Sequence, residues 1–270
     1  MLTQERLSQM EQAVRMAGQN MLRAHPEGEA VHLKPGRGNF VTDFDLENQR
    51  MLEKAFREIL PGSAFLGEED TGHGHLTRLS DGYTWIVDPI DGTTNFMFDY
   101  RCSCVSAGLA LDGEMVAAFV YNPYVERMYT GRLHEGAYMN GQRLQMEDRE
   151  IEEGIVAFGC AGYNEEHTDL LFQALQDIFH RAAAIRSCGS AAWDLSRIAS
   201  GSNLAYVEMV LQPWDYAAAS LIIREAGGEI FTMDGQEVSL VRPSSVIAGT
   251  HRTCRAIREI LRGRGLTSAC

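Results

Sequence analysis

Residues 85–96 read WIVDPIDGTTNF. A β-branched and aromatic run, Tyr83 to Val87, leads into two aspartates set three residues apart around a proline, and Gly92-Thr93-Thr94 follows. No basic residue comes after them until Arg101, so nothing nearby in sequence neutralises Asp88 and Asp91. The residue before a proline is pushed towards extended geometry, and Pro89 presets φ for a turn, so the pattern predicts a strand ending at Asp88. Gly92 releases the chain from that turn, and Thr93-Thr94 opens a helical turn. This corner aims the Asp88 and Asp91 carboxylates and the Ile90 carbonyl into one small volume. Oxygen ligands of that kind suit a hard divalent ion, Mg2+ first, then Mn2+ or Ca2+. Taken alone, the same residues also describe an exposed Asp-Pro turn.

Two other segments carry acids in comparable settings. FLGEED (65–70) is an apolar strand that ends in a glycine and then Glu68-Glu69-Asp70, from which Glu68 reaches the same edge. LQPWDYAAASLIIREAGG (211–228) places Asp215 in the first turn of a helix with an apolar face. By itself that position is explained by helix-dipole complementarity, worth about 0.3–1 kcal/mol.

The chain of 270 residues is 45% hydrophobic and 23% charged, as a globular protein with a sizeable core requires. No apolar run approaches the roughly 20 residues that span a bilayer, and the charged, amphipathic N-terminus has no signal-peptide core. A cytoplasmic chain without membrane association is expected. Six cysteines show no zinc-type spacing, which fits reduced, structural thiols, with Cys102 and Cys104 on one face of a strand. The formal net charge of −13 argues against a nucleic-acid partner held through its phosphates.

Helical spacing of apolar residues predicts helices over 3–23 and 46–59, with 25–45 between them read as an irregular loop. Short apolar runs with turn residues between them (63–67, 83–88, 103–111, 115–123 and 126–131) predict a sheet with antiparallel hairpins. Beyond 150, strands alternate with helices over 166–180, 190–200, 214–226 and 251–262, so a second sheet covered by helices is expected. No repeat or long linker interrupts the chain. It is read as one domain, 1–270, with a metal-binding half (roughly 1–145) and a substrate-side half (146–270).

Taken together, these segments resemble the inositol monophosphatase family of Mg2+-dependent, lithium-sensitive phosphomonoesterases. WIVDPIDGTTNF looks like its first signature and WDYAAASLIIREAGG (214–228) like its second. GEED is similar to its metal-binding Gly-Glu-Glu, and NFVTDFD (39–45), with Lys34 upstream, to its Val-Thr-x-x-Asp segment. The likeness runs over roughly residues 5–262. It implies an αβαβα sandwich of the inositol monophosphatase and fructose-1,6-bisphosphatase type (α/β, layered α+β), usually a homodimer. It implies two or three Mg2+ ions, with Mn2+ as a substitute. Glu68, Asp88 and the Ile90 carbonyl would hold the first ion; Asp88, Asp91 and Asp215 would hold the second. Thr93, hydrogen-bonded to Asp45, would position the attacking water, and the N–H groups of Gly92 and Thr93 would bind phosphate oxygens.

Substrate choice is expected from RSCGSAAWDL (186–195) and from Glu208. Gly189-Ser190-Ala191 would open a helix beside the ester, Ser190 standing where inositol-selective members carry threonine, and Glu208 falls where those members contact ring hydroxyls. The segment MFDYRCSCVS (97–106) departs from the family by lacking a proline and carrying Arg101. Inositol monophosphate is therefore the leading substrate, with fructose 1,6-bisphosphate, histidinol phosphate, NADP and adenosine 3′,5′-bisphosphate as alternatives. A non-catalytic regulatory protein of the transcription machinery is the contrasting class. His73 and His75 in the GHGH stretch (72–75) read as part of a surface loop.

Overall fold

The computed structural model describes residues 2–23, 31–33, 40–69, 79, 81–160 and 168–267. Lys34, Asp70, His73 and His75 lie outside the described residues.

Leu7, Met10, Val14, Ala17 and Met21 recur at helical spacing and form the buried stripe of α1 (Gln4–Met21), whose N-terminus Thr3 caps. A short antiparallel pair, β1 (Val31–Leu33) and β2 (Phe40–Thr42), then leads into α2 (Asp43–Ile59). The expectation of an irregular 25–45 is corrected here: the described part is paired strand, and the helix starts at Asp43. The reason is a capping box between Thr42 and Asp45, hidden in sequence among prolines and glycines.

The first sheet has seven strands in chain order: β3 (Ala64–Gly67), β4 (Tyr83–Asp91), β5 (Cys104–Leu111), β6 (Glu114–Asn122), β7 (Arg127–Arg132), β8 (Gly136–Met139) and β9 (Gln142–Leu144). All neighbours are antiparallel except β3 and β4, which run parallel. The one-turn helix α3 (Thr93–Met97) lies between β4 and β5. Since β5 begins at Cys104, Cys102 precedes the strand, and the expected shared strand face for the two sulfurs does not form.

The second sheet has the order β11-β10-β12-β14-β13, with β10 (Ile155–Phe158), β11 (Ala184–Arg186), β12 (Ala205–Leu211), β13 (Glu229–Phe231) and β14 (Ser244–Gly249). β10 pairs parallel with β11 and β12, whereas β14 is antiparallel to both its neighbours. Helices α4 (Thr168–Arg181), α5 (Ala191–Ala199), α6 (Pro213–Glu225) and α7 (His251–Gly263) complete the chain.

Side-chain alternation along the strands sets the layers. Trp85 and Val87 of β4 point to α1 and α2, where Phe56 stacks on Trp85 at 3.7 Å between ring centroids. Ile86, between them, points the other way, to Trp193 of α5 and Leu221 of α6. The opposite faces of α5 and α6 (Leu195, Tyr216, Ile223) pack on Ala157, Tyr206 and Val246 of the second sheet. The last layer, α4 and α7, covers Val156, Val207 and Ile247. The result is the αβαβα sandwich. Among the described residues, no helix is long and apolar enough to cross a membrane.

Candidate active site

β4 runs to Asp91 instead of stopping at Asp88, but its register against β5 shifts between these two residues. Pro89 has no N–H to give a ladder, and the Ile90 N–H turns back to donate to Asp88 Oδ1 at 2.9 Å. The turn expected at Pro89 falls instead at Gly92, whose φ of +88° lies in the left-handed region that a residue with a Cβ resists. The irregular strand end brings both aspartates to one side. There they meet Asp215, the third residue of α6, whose Oδ2 accepts from the Gln212 N–H at 2.8 Å. Ligand oxygens of Asp88, Asp91 and Asp215 all lie within 4.8 Å of one another. Glu68 follows β3 directly, its N–H donating to the Val87 carbonyl at 3.1 Å, which sets it beside Asp88 on the neighbouring strand.

Buried acids in contact resist ionisation. Burial holds the Asp88 carboxyl well above the usual carboxylate range, and the charges of Glu68, Asp91 and Asp215 add to it. Asp215 is raised well above that range in the same way, by burial first and then by Asp91 and Glu68. Burial pushes Asp91 up to about 6 against the opposing pull of its hydrogen-bond donors. The donor set consists of carboxylate oxygens with the Ile90 carbonyl beside them. Hard cations prefer such ligands, and a cation is what this charge density calls for. The residues present fit a divalent metal.

Asp45 sits one step back. Its Oδ2 accepts from the Thr42 N–H at 2.7 Å and from Thr42 Oγ1 at 2.5 Å, while its Oδ1 lies 3.1 Å from Thr93 Oγ1. The Thr93 hydroxyl is equally near the Ile90 carbonyl, at 3.1 Å. Burial pushes Asp45 up to about 6, partly offset by the Thr42 bonds.

The other wall comes from the second half of the chain. Ser190 Oγ and the Ala192 N–H donate to Asp91 Oδ2 at 2.5 and 2.8 Å, with Cys104 Sγ at 3.7 Å. Asn95 Nδ2 donates to the carbonyls of Cys102 and Cys188, at 2.9 and 2.6 Å, tying the strand-end turn to the segment before α5. The cavity so enclosed measures about 290 Å3. Every residue expected for the site lines it except Asp45, which reaches it through Thr93. Glu208 is a buried residue inside β12. Sequence reasoning missed Asn95 and Tyr206; the second could have been found from its place two residues before Glu208, on the same strand face. A larger groove of about 670 Å3 opens between α1 and α2. It shares no lining residue with the acidic cavity.

The chain matches the model of the inositol monophosphatase family over residues 3–262. It is 33% identical to an inositol-1-monophosphatase of Bacillus subtilis over 247 residues, 91% of this chain and 92% of that one. Among solved structures it resembles the extragenic suppressor protein suhB of Bartonella henselae, with TM-score 0.86 and 28% identity over 95% of this chain and 98% of that one. It also resembles SaIMPase-II, from Staphylococcus aureus, bound to inositol monophosphate (TM-score 0.78, 26% identity, 94% and 92% coverage).

Proposed function

The chain belongs to the inositol monophosphatase family, and from that premise we propose that it is a Mg2+-dependent hydrolase of polyol phosphates, inositol monophosphate first among them. Family membership makes it a phosphoric monoester hydrolase acting on small phosphate esters. The observation that carries the metal reading is the convergence of Asp88, Asp91 and Asp215 within 4.8 Å.

Glu68, Asp88 and the Ile90 carbonyl would hold one Mg2+, and Asp88, Asp91 and Asp215 a second. Bound there, the cations neutralise phosphoryl charge and acidify water. The remaining work falls to the chain itself, since phosphoryl transfer is mostly positioning and charge stabilisation. Thr93 Oγ1, held between Asp45 Oδ1 and the Ile90 carbonyl, orients the attacking water. Asp45, with its carboxyl near 6, takes up the water's proton through Thr93 at neutral pH. The N–H groups of Gly92 and Thr93 receive phosphate oxygens at the strand end. Gly189 and Ala191 offer backbone to the leaving group, while the Ser190 hydroxyl is engaged by Asp91 and orients that carboxylate. Glu208, which lines the same cavity, accepts hydrogen bonds from ring hydroxyls.

The test is phosphate release from a panel of inositol, sugar, nucleotide and histidinol phosphates, with and without Mg2+. Release from inositol phosphates in Mg2+ alone is expected, with near-complete loss in Asp91→Asn. Metal-independent turnover, or full activity of folded Asp91→Asn, would overturn the assignment. A nucleotide 2′-phosphate is the second reading: a structure of 2′AMP-bound SaIMPase-II, with 26% identity and TM-score 0.76, also matches this chain. Preference for that ester would keep the mechanism and replace the substrate. A homodimer, which the family resemblance implies, belongs to the same proposal, and sedimentation would detect it.

A further inference from the structure

β12 is a central strand of the second sheet, flanked by β10 and β14, and its residues alternate between two apolar layers. A glutamate there is costly to bury unless it is hydrogen-bonded. Glu208 shares its face with Tyr206, two residues earlier, and the Tyr206 hydroxyl donates to Glu208 Oε2. Tyr206 is only 2% exposed, enclosed by apolar neighbours from β10, α5 and β14. Burial, then the Glu208 charge, holds the phenol well above its ordinary pKa, so the hydroxyl keeps its proton as a fixed donor.

A third residue closes the arrangement. Gly159 follows β10, and its N–H donates to the Val207 carbonyl at 3.1 Å, between Tyr206 and Glu208 in sequence. A Cβ placed on Gly159 would collide with Glu208 Oε2 and with the Tyr206 hydroxyl. Its backbone lies outside the left-handed region, so the glycine is there for space and not for conformation. All three residues line the cavity that holds the acidic cluster.

We propose that Tyr206 is a positioning residue for ester selectivity, fixing the Glu208 carboxylate in the space left by Gly159 so that it accepts hydroxyls of a polyol leaving group. This rests on the polyol phosphatase reading. A carboxylate with a fixed plane discriminates between leaving groups by the geometry of their hydroxyls, whereas a loose one accepts water as readily. An ester without hydroxyls on its leaving group makes no use of the arrangement.

The experiment compares inositol 1-phosphate with 4-nitrophenyl phosphate on the same protein sample, so that any loss of folded fraction cancels in the ratio of the two kcat/KM values. Tyr206→Phe is expected to lower the ratio about 10-fold, the scale of one hydrogen bond to a charged group. In a Glu208→Gln background the same change should shift it less than about 2-fold, because the two residues act as a unit. Gly159→Ala, approaching the pair from the other side, should reproduce the selective loss even if Tyr206→Phe folds poorly. An equal fall for both esters, an unchanged ratio, or full additivity with Glu208→Gln would overturn the assignment while leaving the phosphatase reading intact. A wild-type protein that releases phosphate from neither ester in Mg2+ would instead sink the reaction itself.

Discussion

Ser190 Oγ lies 2.5 Å from Asp91 Oδ2, a hydrogen bond between residues 99 apart in sequence. The Ala192 N–H reaches the same oxygen at 2.8 Å, so the N-terminus of α5 orients an acid that β4 delivers. Ser190→Ala removes the shorter bond and leaves the backbone one. Metal affinity or turnover should fall about 10- to 100-fold, as when a partner behind a metal ligand is lost. Calorimetric titration with Mg2+ checks this; unchanged affinity and turnover would separate Ser190 from the metal site.

The raised acids give the metal-free protein a defined pH response. Asp45 and Asp91 are each pushed to about 6 in the fold from an ordinary value of 3.8. Between those values the folded chain binds more protons than the unfolded one, so stability is highest on the acid side and is lost as pH rises through 6. Each acid accounts for up to about 3 kcal/mol. In chelator, Tm should be higher at pH 5 than at pH 7, and Mg2+ should raise Tm more at pH 7. The exposed, ion-paired Asp177 has its pKa lowered, so its effect belongs to more acid conditions. A flat or rising Tm from pH 5 to 7 without metal would contradict this account.

Gly92→Ala tests the strand-end turn. The left-handed φ costs a residue with a Cβ about 1–2 kcal/mol. The added methyl would also lie 3.1 Å from the carbonyls of Cys102 and Gly189 and from Ser190 Cβ. Reduced stability in a chemical denaturation curve is expected together with loss of most activity, since the displaced groups wall the cavity. A variant with wild-type stability and turnover would show that the turn tolerates a side chain.

Because α5 and α6 pack on both sheets, we propose that the chain unfolds as one unit. Phe56→Ala deletes the ring stacked on Trp85, far from the second sheet, and should cost about 3–5 kcal/mol. Near- and far-UV circular dichroism should still report one coincident transition, shifted to lower temperature. Two separated transitions would divide the chain into independent halves.

The acids were legible because each closes or opens an element: Glu68 after an apolar strand, Asp88 and Asp91 around a proline, Asp215 in the first turn of a helix. Such positions are written locally. Local pattern puts Asp45 in a loop, because Pro and Gly upstream mask a helix start that only the Thr42 hydrogen bonds reveal. The continuation of β4 past Pro89 depends on a register shift against β5, which no local pattern encodes. Strand β13 is three residues long and gives no periodicity to read. The pairing of Tyr206 with Glu208 was within reach of side-chain alternation along a strand, but the meeting of that pair with Gly159 was not, since β10 and β12 come together only in the assembled sheet.

Asp45 and Asp215 occupy the same local position, the third residue of a helix that begins with a capping box. Each spends Oδ2 on the backbone N–H where its helix starts: Thr42 in one case, Gln212 in the other. The contact that starts each helix is therefore also the contact that orients its acid. A helix that started at another residue would leave its acid without that contact. The converse also follows: exchanging either acid for a residue that cannot cap removes chemistry and loosens a helix together. Loss-of-function changes at these two positions will look like folding defects unless both properties are measured on the same sample.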